Sequence, residues 1–346
     1  MAGKNGLTLD DVIKEMNRKA KEVIVTKGLS EYNYDRIPFT SPRMNYCTYG
    51  GLPVGKLIEF YGEDHGGKTT TALDIVANYQ QMQDCKKVLY VDAENTLDVE
   101  WAQKLGVNTD EGFIVLQPKA QSAEEIFQFI VDAVETGEIG LWVLDSIGVL
   151  FSAQEYDKSL EDKTYGGISK PLTLFSKKVE QAMHGTRCTG IGINQIREDL
   201  NSQWGGFTTP GGRGWRHMCS VRIQFSRGKF FDEKGVELSR GAENPVGNMV
   251  QVNMLKNKTC PPKRHVTSYS LNYDTGVDYI KDLIEVAVEK GFINKRGGWF
   301  DFVDVTTGEI IGDKIQGQAN VASYLKEHED ILEMIENGLE EFIQHD

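Results

Sequence analysis

The chain has 346 residues, of which 40% are hydrophobic and 26% charged, and a net charge of −13. That composition supplies apolar material for two or three globular domains and offers no run near the ~20 apolar residues that span a bilayer. The five cysteines (Cys47, Cys85, Cys188, Cys219 and Cys260) form no C-x-x-C pair and have no histidine at ligand spacing, which argues against a zinc module or a disulfide framework and suits reduced thiols in a cytoplasmic protein.

The N-terminus is polar, without a secretory apolar region. Residues 8–24 read as a helix: Thr8 can cap it, Asp10 and Asp11 suit its first turn, and Val12, Ile13, Met16, Ala20 and Val23 make an apolar stripe. A lone helix of this length needs a surface to cover its stripe, on its own domain or on a neighbouring subunit. A connector over about 29–50 follows.

An alternation of strands and helices comes next. Strand 57–61 leads to helix 68–82, then to strand 87–91, a helix near 98–105, strand 113–116, helix 122–136, strand 141–144, helix 170–184 and strand 189–193. Strands apolar throughout and separated by helices predict a mainly parallel α/β sheet covered on both faces. Segments 220–225 and 248–255 read as further strands, expected to extend the sheet antiparallel. A small α/β module closes the chain from about residue 277. Its last 25 residues carry a net −7, leaving −6 for the rest, so a basic groove elsewhere is compatible with the overall charge. Ile331, Ile335, Leu339 and Phe342 recur there at helical spacing.

Gly62-Glu63-Asp64-His65-Gly66-Gly67-Lys68-Thr69-Thr70 fits the G-x-x-x-x-G-K-[ST] phosphate loop and lies between a buried strand and a helix. The glycines let the backbone close around an anion, and the helix N-terminus aims N–H groups at it. Lys68 would reach the outer phosphates, and the Thr69 hydroxyl would ligate Mg²⁺. Asp145, at the end of an apolar strand, has the form of the carboxylate that orients the Mg²⁺ shell. Glu94, closing the strand taken to lie beside the phosphate loop, is placed to polarise an attacking water, or else to favour the N-terminus of the helix that follows. Gln195 ends strand 189–193 and could report loss of a γ-phosphate, or simply satisfy a loop backbone.

Segment 196–216 is long, Gly-rich and polar, yet carries Trp204, Phe207 and Trp215 with Arg197, Arg213 and Arg216. Aromatics interleaved with arginines suit single-stranded nucleic acid, and a mobile lid is the alternative. A shorter loop near 157–168, with Lys158, Lys163 and Tyr165, could assist.

In order, Gly50-Gly-Leu-Pro-Val-Gly-Lys56, the phosphate loop, Tyr90-Val-Asp-Ala-Glu94, Leu105-Gly-Val107, Val143-Leu-Asp-Ser146, Asn194-Gln-Ile-Arg197, Lys256-Asn-Lys258 and Gly317-Gln-Ala-Asn320 resemble the bacterial RecA recombinase family over nearly the whole chain. The resemblance implies a RecA-type P-loop ATPase core (33–276) between an N-terminal oligomerisation segment (1–32) and a C-terminal α/β domain with an acidic last helix (277–346). It implies ATP and Mg²⁺ as cofactors, single- and double-stranded DNA as partners, a helical filament built through the N-terminal helix, strand exchange and a place in repair and the SOS response. It further implies Glu94 as the water-activating carboxylate, Gln195 as γ-phosphate sensor, and Asp98 and Trp101 near adenine. Lys256 and Lys258 become the pair that reaches a neighbour's ATP, and Lys290, Lys295 and Arg296 a weaker duplex-binding surface. A ring-forming motor sharing the core, or a filament with little hydrolysis, remain alternatives. The chain departs from the family at His65-Gly66, where paired serines are usual, and at Pro210, which interrupts a threonine run. Glu198-Asp199 stands where a basic residue is common, and His217 replaces a phenylalanine at the subunit contact. Such drift suits a phage-encoded or otherwise divergent member.

Overall fold

A computed structural model describes residues 8–20, 34–156, 167–198, 206–233, 235–239 and 242–345. The chain divides into two compact units, residues 1–34 and 35–346. In the first, helix α1 (Leu9–Ala20) starts at a reciprocal cap. Thr8 donates to Asp11 Oδ2 from its backbone N (2.9 Å) and from Oγ1 (2.7 Å), and Asp11 N returns a bond to Thr8 Oγ1 (3.2 Å). Leu9, Val12 and Met16 on this helix are exposed. The continuation of the expected helix to residue 24 lies outside the described residues.

The second unit is built on one large sheet. Its main strands in chain order are β1 (Leu57–Gly62), β2 (Lys87–Asp92), β3 (Phe113–Leu116), β4 (Ile139–Asp145), β5 (Thr189–Gln195), β6 (Val221–Phe231), β7 (Gly247–Asn257) and β8 (Val266–Asn272). Their spatial order is β8-β7-β6-β1-β5-β4-β2-β3, with the two-residue strand 276–277 at the β8 edge. All pairs from β6 to β3 are parallel, while β7 and β8 join antiparallel. The expectation that segments 220–225 and 248–255 extend the sheet antiparallel holds for the second only: 220–225 joins β1 in parallel and pairs antiparallel with β7 alone. β6 runs parallel to β1, because the chain returns from the end of β5 through a crossover containing helix α7 (Gly212–Met218, numbered after the helices below).

Helices α2 (Pro42–Thr48), α3 (Lys68–Gln80), α4 (Val99–Lys104), α5 (Ala123–Glu135) and α6 (Ser169–Thr186) precede that crossover. Alternate strand residues face two separate cores. Ile58, Phe60, Val88, Tyr90, Leu141 and Val143 pack with Ala72, Ile75 and Val76 of α3. Leu57, Leu89, Val91, Trp142 and Leu144 pack with Ile126 and Ile130 of α5 and with Phe175 and Val179 of α6. A strand buried on both faces needs no polar alternation, which is why these segments read as continuous apolar runs. Ser122 and Glu125 close a capping box at the start of α5.

The C-terminal region has its own core. Helix α8 (Tyr279–Lys290) supplies Leu283, Ile284, Val286 and Ala287. The antiparallel strands β9 (Ile293–Arg296), β10 (Trp299–Val303) and β11 (Ile310–Gln316) add Ile293, Phe300 and Phe302. Helices α9 (Gln318–Glu327) and α10 (Glu329–His345) close it with Val321, Leu325, Ile331, Ile335 and Leu339. The stripe expected from sequence in the acidic segment is thus the buried face of α10.

Candidate nucleotide site and nucleic-acid interface

β1 is buried along its whole length and ends at Gly62. A Cβ at Gly62 would lie 1.9 Å from the Phe225 carbonyl oxygen on β6, so only glycine fits where the phosphate loop leaves the sheet. His65 and Gly67 both have left-handed φ, +58° and +91°. Glu63, Asp64 and His65 are exposed, Gly66 is buried and Thr70 half-buried. Gly67 is the N-cap of α3 and offers no side-chain cap. The first-turn N–H groups of α3 thus lack the usual internal acceptor and, with the helix dipole, favour an anion.

Lys68 is buried and donates from Nζ to the carbonyls of Gly62 (3.1 Å) and Glu63 (2.6 Å). Burial lowers its pKa, against the opposing pull of Asp64, Asp145, Glu94 and Glu63. Thr69 Oγ1 donates to Asp145 Oδ2 at 2.7 Å, and Tyr90 OH donates to the same oxygen at 2.9 Å. Burial raises the Asp145 carboxyl, and these two hydrogen bonds pull it back. Among the described residues no cluster of three or more His, Cys, Asp or Glu could hold a metal. One hydroxyl and one carboxylate beside a phosphate cradle do fit Mg²⁺, which keeps waters and shares phosphate oxygens instead of filling an all-protein cage.

The strand order corrects one expectation. β2, which leads to Glu94, is not beside β1, since β5 and β4 lie between them. Glu94 nevertheless reaches the sheet's centre. Its Oε1 accepts from Ser146 Oγ at 2.5 Å and from Gln195 Nε2 at 3.5 Å, while Ala93 N donates to the Asp145 carbonyl at 2.7 Å. Four strand ends thereby meet: the phosphate loop, Asp145-Ser146, Glu94 and Gln195. Asp98 is the N-cap of α4 and accepts from Trp101 N at 3.0 Å. Trp101 is partly buried against the α3-side core. Among the described residues neither hydrogen-bonds the phosphate loop.

Lys256 and Lys258, at the far end of β7, turn to α7 within the same chain. Lys256 Nζ donates to the carbonyls of Arg216 (2.7 Å) and His217 (2.9 Å), and Lys258 Nζ to that of His217 (3.4 Å). Two cations thus sit at the C-terminal end of that helix, where its carbonyls are otherwise unsatisfied. Burial, then its neighbour Lys258, lowers the Lys256 pKa.

The described parts of the segment after Gln195 carry regular structure. Arg197 and Glu198 pair antiparallel with Thr208 and Phe207, and α7 follows from Gly212. Arg197 Nη2 donates to the Gly148 carbonyl at 3.0 Å. Phe207 is 65% exposed, Arg213 is exposed, and Arg216 is half-buried with Nε on the Gly212 carbonyl at 3.1 Å. Trp215 does not join this surface. It is fully buried against Gly192 of β5 and Leu172-side packing of α6, so the stacking role read from its position in the segment is overturned. Lys158, Lys163, Tyr165 and Trp204 lie outside the described residues.

Three residues that hold the site were missed in the sequence: Tyr90, Ser146 and Glu59. The first two stand inside the motifs Tyr90–Glu94 and Val143–Ser146, but nothing in those runs marks them as hydrogen-bond donors to the site carboxylates. Glu59 has a signal, a lone carboxylate inside the apolar run Leu57-Ile-Glu-Phe-Tyr61.

A glycine cradle passed from a buried parallel strand to an uncapped helix, with a hydroxyl–carboxylate pair at its side, defines a P-loop nucleotide-binding α/β protein. Within that class the match is specific. The model of the RecA N-terminal domain matches residues 8–278 and that of the RecA C-terminal domain residues 281–344, so the chain belongs to the RecA family. It is 33% identical over 337 residues to Protein RecA of Streptomyces ambofaciens, covering 96% of this chain and 85% of that one. To Protein RecA of Mycobacteroides abscessus it is 34% identical over 293 residues, 84% of this chain and 79% of the relative. To that of Lactococcus lactis subsp. cremoris it is 34% identical over 289 residues, 83% and 70%.

Proposed function

We propose that this chain is a DNA-dependent ATPase that assembles as a helical filament on single-stranded DNA and exchanges strands with homologous duplex. Gly62 to Thr70 bind the ATP phosphates, with Lys68 on the outer ones and Asp98 and Trp101 toward adenine. Thr69 and Asp145 hold Mg²⁺, which when bound screens the phosphate oxygens. Glu94 holds and polarises a water, and Gln195 senses the outer phosphate. Lys163, Tyr165, Arg197, Trp204, Phe207, Arg213 and Arg216 take the DNA. Residues 1–32 serve oligomerisation, 33–276 the ATPase core and 277–346 a C-terminal domain, in a cytoplasmic protein.

The observation that carries this reading is the contact of Gln195 Nε2 with Glu94 Oε1. Gln195 ends β5, and the Arg- and Phe-bearing hairpin begins two residues later. A change at the phosphate side therefore has a short covalent route to the DNA side. Lys256 and Lys258 complete a neighbouring subunit's site, with a rate effect of ~10³–10⁵ by analogy with arginine fingers.

The test is ATP turnover with and without single-stranded DNA, together with negative-stain microscopy of the assembled protein. DNA-stimulated turnover and continuous filaments support the reading. Equal turnover in both conditions, or closed rings, turns it toward a motor of the same core.

A further inference from the structure

Glu59 lies in the middle of β1, three residues before Gly62, and is fully buried. A carboxylate in such a place is retained only if its oxygens are matched. Here each has a partner. Oε2 accepts from Arg222 Nε on β6 at 2.5 Å, and Oε1 accepts from Asn194 Nδ2 on β5 at 3.0 Å. Arg222 also lies over the Tyr61 ring, 4.8 Å from its centroid.

Asn194 is fully buried as well, and its amide is used on three sides. Nδ2 donates to Glu59 and to the Pro210 carbonyl at 3.0 Å, while Oδ1 accepts from Gln195 N at 3.1 Å. Asn194 immediately precedes Gln195, and Pro210 immediately precedes Gly211, the N-cap of α7. One carboxylate therefore clips together the outgoing end of segment 195–211, its returning end, and the strand that delivers the phosphate loop. Arg222 ties the same carboxylate to the strand that follows α7.

We propose that Glu59 is the positioning residue that couples nucleotide state to DNA grip, by holding Asn194 so that movement at Gln195 is passed to Pro210 and the start of α7. The proposal rests on the functional reading above. Glu59 touches neither phosphate nor DNA in this scheme. It acts through the orientation of the Asn194 amide, whose two N–H groups cannot shift independently.

The experiment compares single-stranded DNA affinity with ATP and with ADP, by anisotropy of a labelled oligonucleotide, in the full-length wild type and in Glu59→Gln. Fluorescent-nucleotide affinity and thermal stability are measured alongside. The ATP/ADP affinity ratio is expected to fall about tenfold in the variant, with nucleotide affinity within about twofold of wild type. A merely structural role would weaken nucleotide and DNA binding in parallel and leave the ratio intact, which overturns the proposal. Should Glu59→Gln fail to fold because Arg222 is left unpaired, Asn194→Ser keeps the Glu59–Arg222 pair and cuts the Pro210 arm. The same loss of ratio is then expected, and an unchanged ratio is again fatal. Wild-type DNA binding that ignores the nucleotide sinks the functional reading first, and this proposal with it.

Discussion

Ser146 Oγ donates to Glu94 Oε1 at 2.5 Å, and the residue before it, Asp145, accepts from Thr69 at 2.7 Å. Consecutive residues at the end of β4 thus fix both carboxylates of the site, Asp145 as the acceptor from Thr69 and Glu94 through the Ser146 hydroxyl. The Ala93 N–H bond to the Asp145 carbonyl locks the two strand ends in register. Glu94 can be aimed without being beside the phosphate loop, because β4 reaches across to it.

If Ser146 aims the base, Ser146→Ala should lower kcat with little change in KM. A hydrogen bond to a charged group is worth about 1.5–3 kcal/mol, so a fall of roughly tenfold to a hundredfold is expected. Glu94→Gln should remove roughly 10²–10⁴ of the rate and leave ATP affinity in place. Steady-state turnover with a nucleotide-binding measurement separates the two. Wild-type kcat in Ser146→Ala would mean that Glu94 is oriented by something else.

Lys256 and Lys258 already cap α7 in a single chain, which gives their removal two separable consequences. Replacing both by Gln should lower the thermal midpoint modestly, since helix-end cations contribute about 0.3–1 kcal/mol each. It should lower DNA-stimulated turnover far more, toward ~10³-fold. Stability and turnover that fall only together, in proportion to folded protein, would leave the lysines as caps and nothing else.

Phe207 and Trp215, the described aromatics of the segment after Gln195, divide by burial. Phe207→Ala should weaken single-stranded DNA by about 1–3 kcal/mol without changing stability. Trp215→Ala should cost about 3–5 kcal/mol of folding stability, because the ring is fully buried. Gly192→Ala should also destabilise, by about 1–3 kcal/mol, since its Cβ would lie 2.5 Å from Trp215 Cζ2. Chemical denaturation and oligonucleotide titration read these directly. Loss of DNA affinity in Trp215→Phe at full stability would return that ring to the binding surface.

The division between what the sequence carried and what it did not follows the range of the interactions. Strands β1 to β5 were legible to within two residues, because each holds a short, mainly apolar run: β1, β2, β4 and β5 are buried almost throughout, and β3, half-exposed at the sheet edge, is apolar at all four positions. The phosphate loop was legible because its chemistry is local. Strand order was not: nothing in Lys87–Asp92 says that it pairs with β4 and β3 and not with β1. The direction of β6 was misread for the same reason, as direction is set by the crossover and not by the strand. The hairpin of Arg197-Glu198 with Phe207-Thr208 is too short to have a period. Trp215 was misplaced because an aromatic in a polar, Gly-rich segment looks like a ligand for bases until its neighbours, Gly192 and Leu172, are known.

Two buried carboxylates make stability depend on pH. Asp74 on α3 accepts from Thr40 N at 3.1 Å, and Asp282 on α8 accepts from Ser41 Oγ and from Arg43 N at 3.2 Å. Burial pushes Asp74 up to about 6, against its bonds to Thr40. It pushes Asp282 up to about 7, where Glu285 adds to the rise and Ser41 and Arg43 oppose it. Both folded values lie above the ordinary 3.8, so the folded chain holds protons that the unfolded chain releases. Their contribution is present in full below about pH 4 and is lost as pH rises through about 6 and 7. Between about pH 4 and 8 the wild type should lose on the order of 4 kcal/mol through Asp282 alone. Asp282→Asn should flatten that part of the profile, and Asp74→Asn the part centred lower. The measurement is the thermal midpoint at constant ionic strength across that range. Parallel profiles for wild type and both variants would show that neither carboxyl titrates in the folded chain.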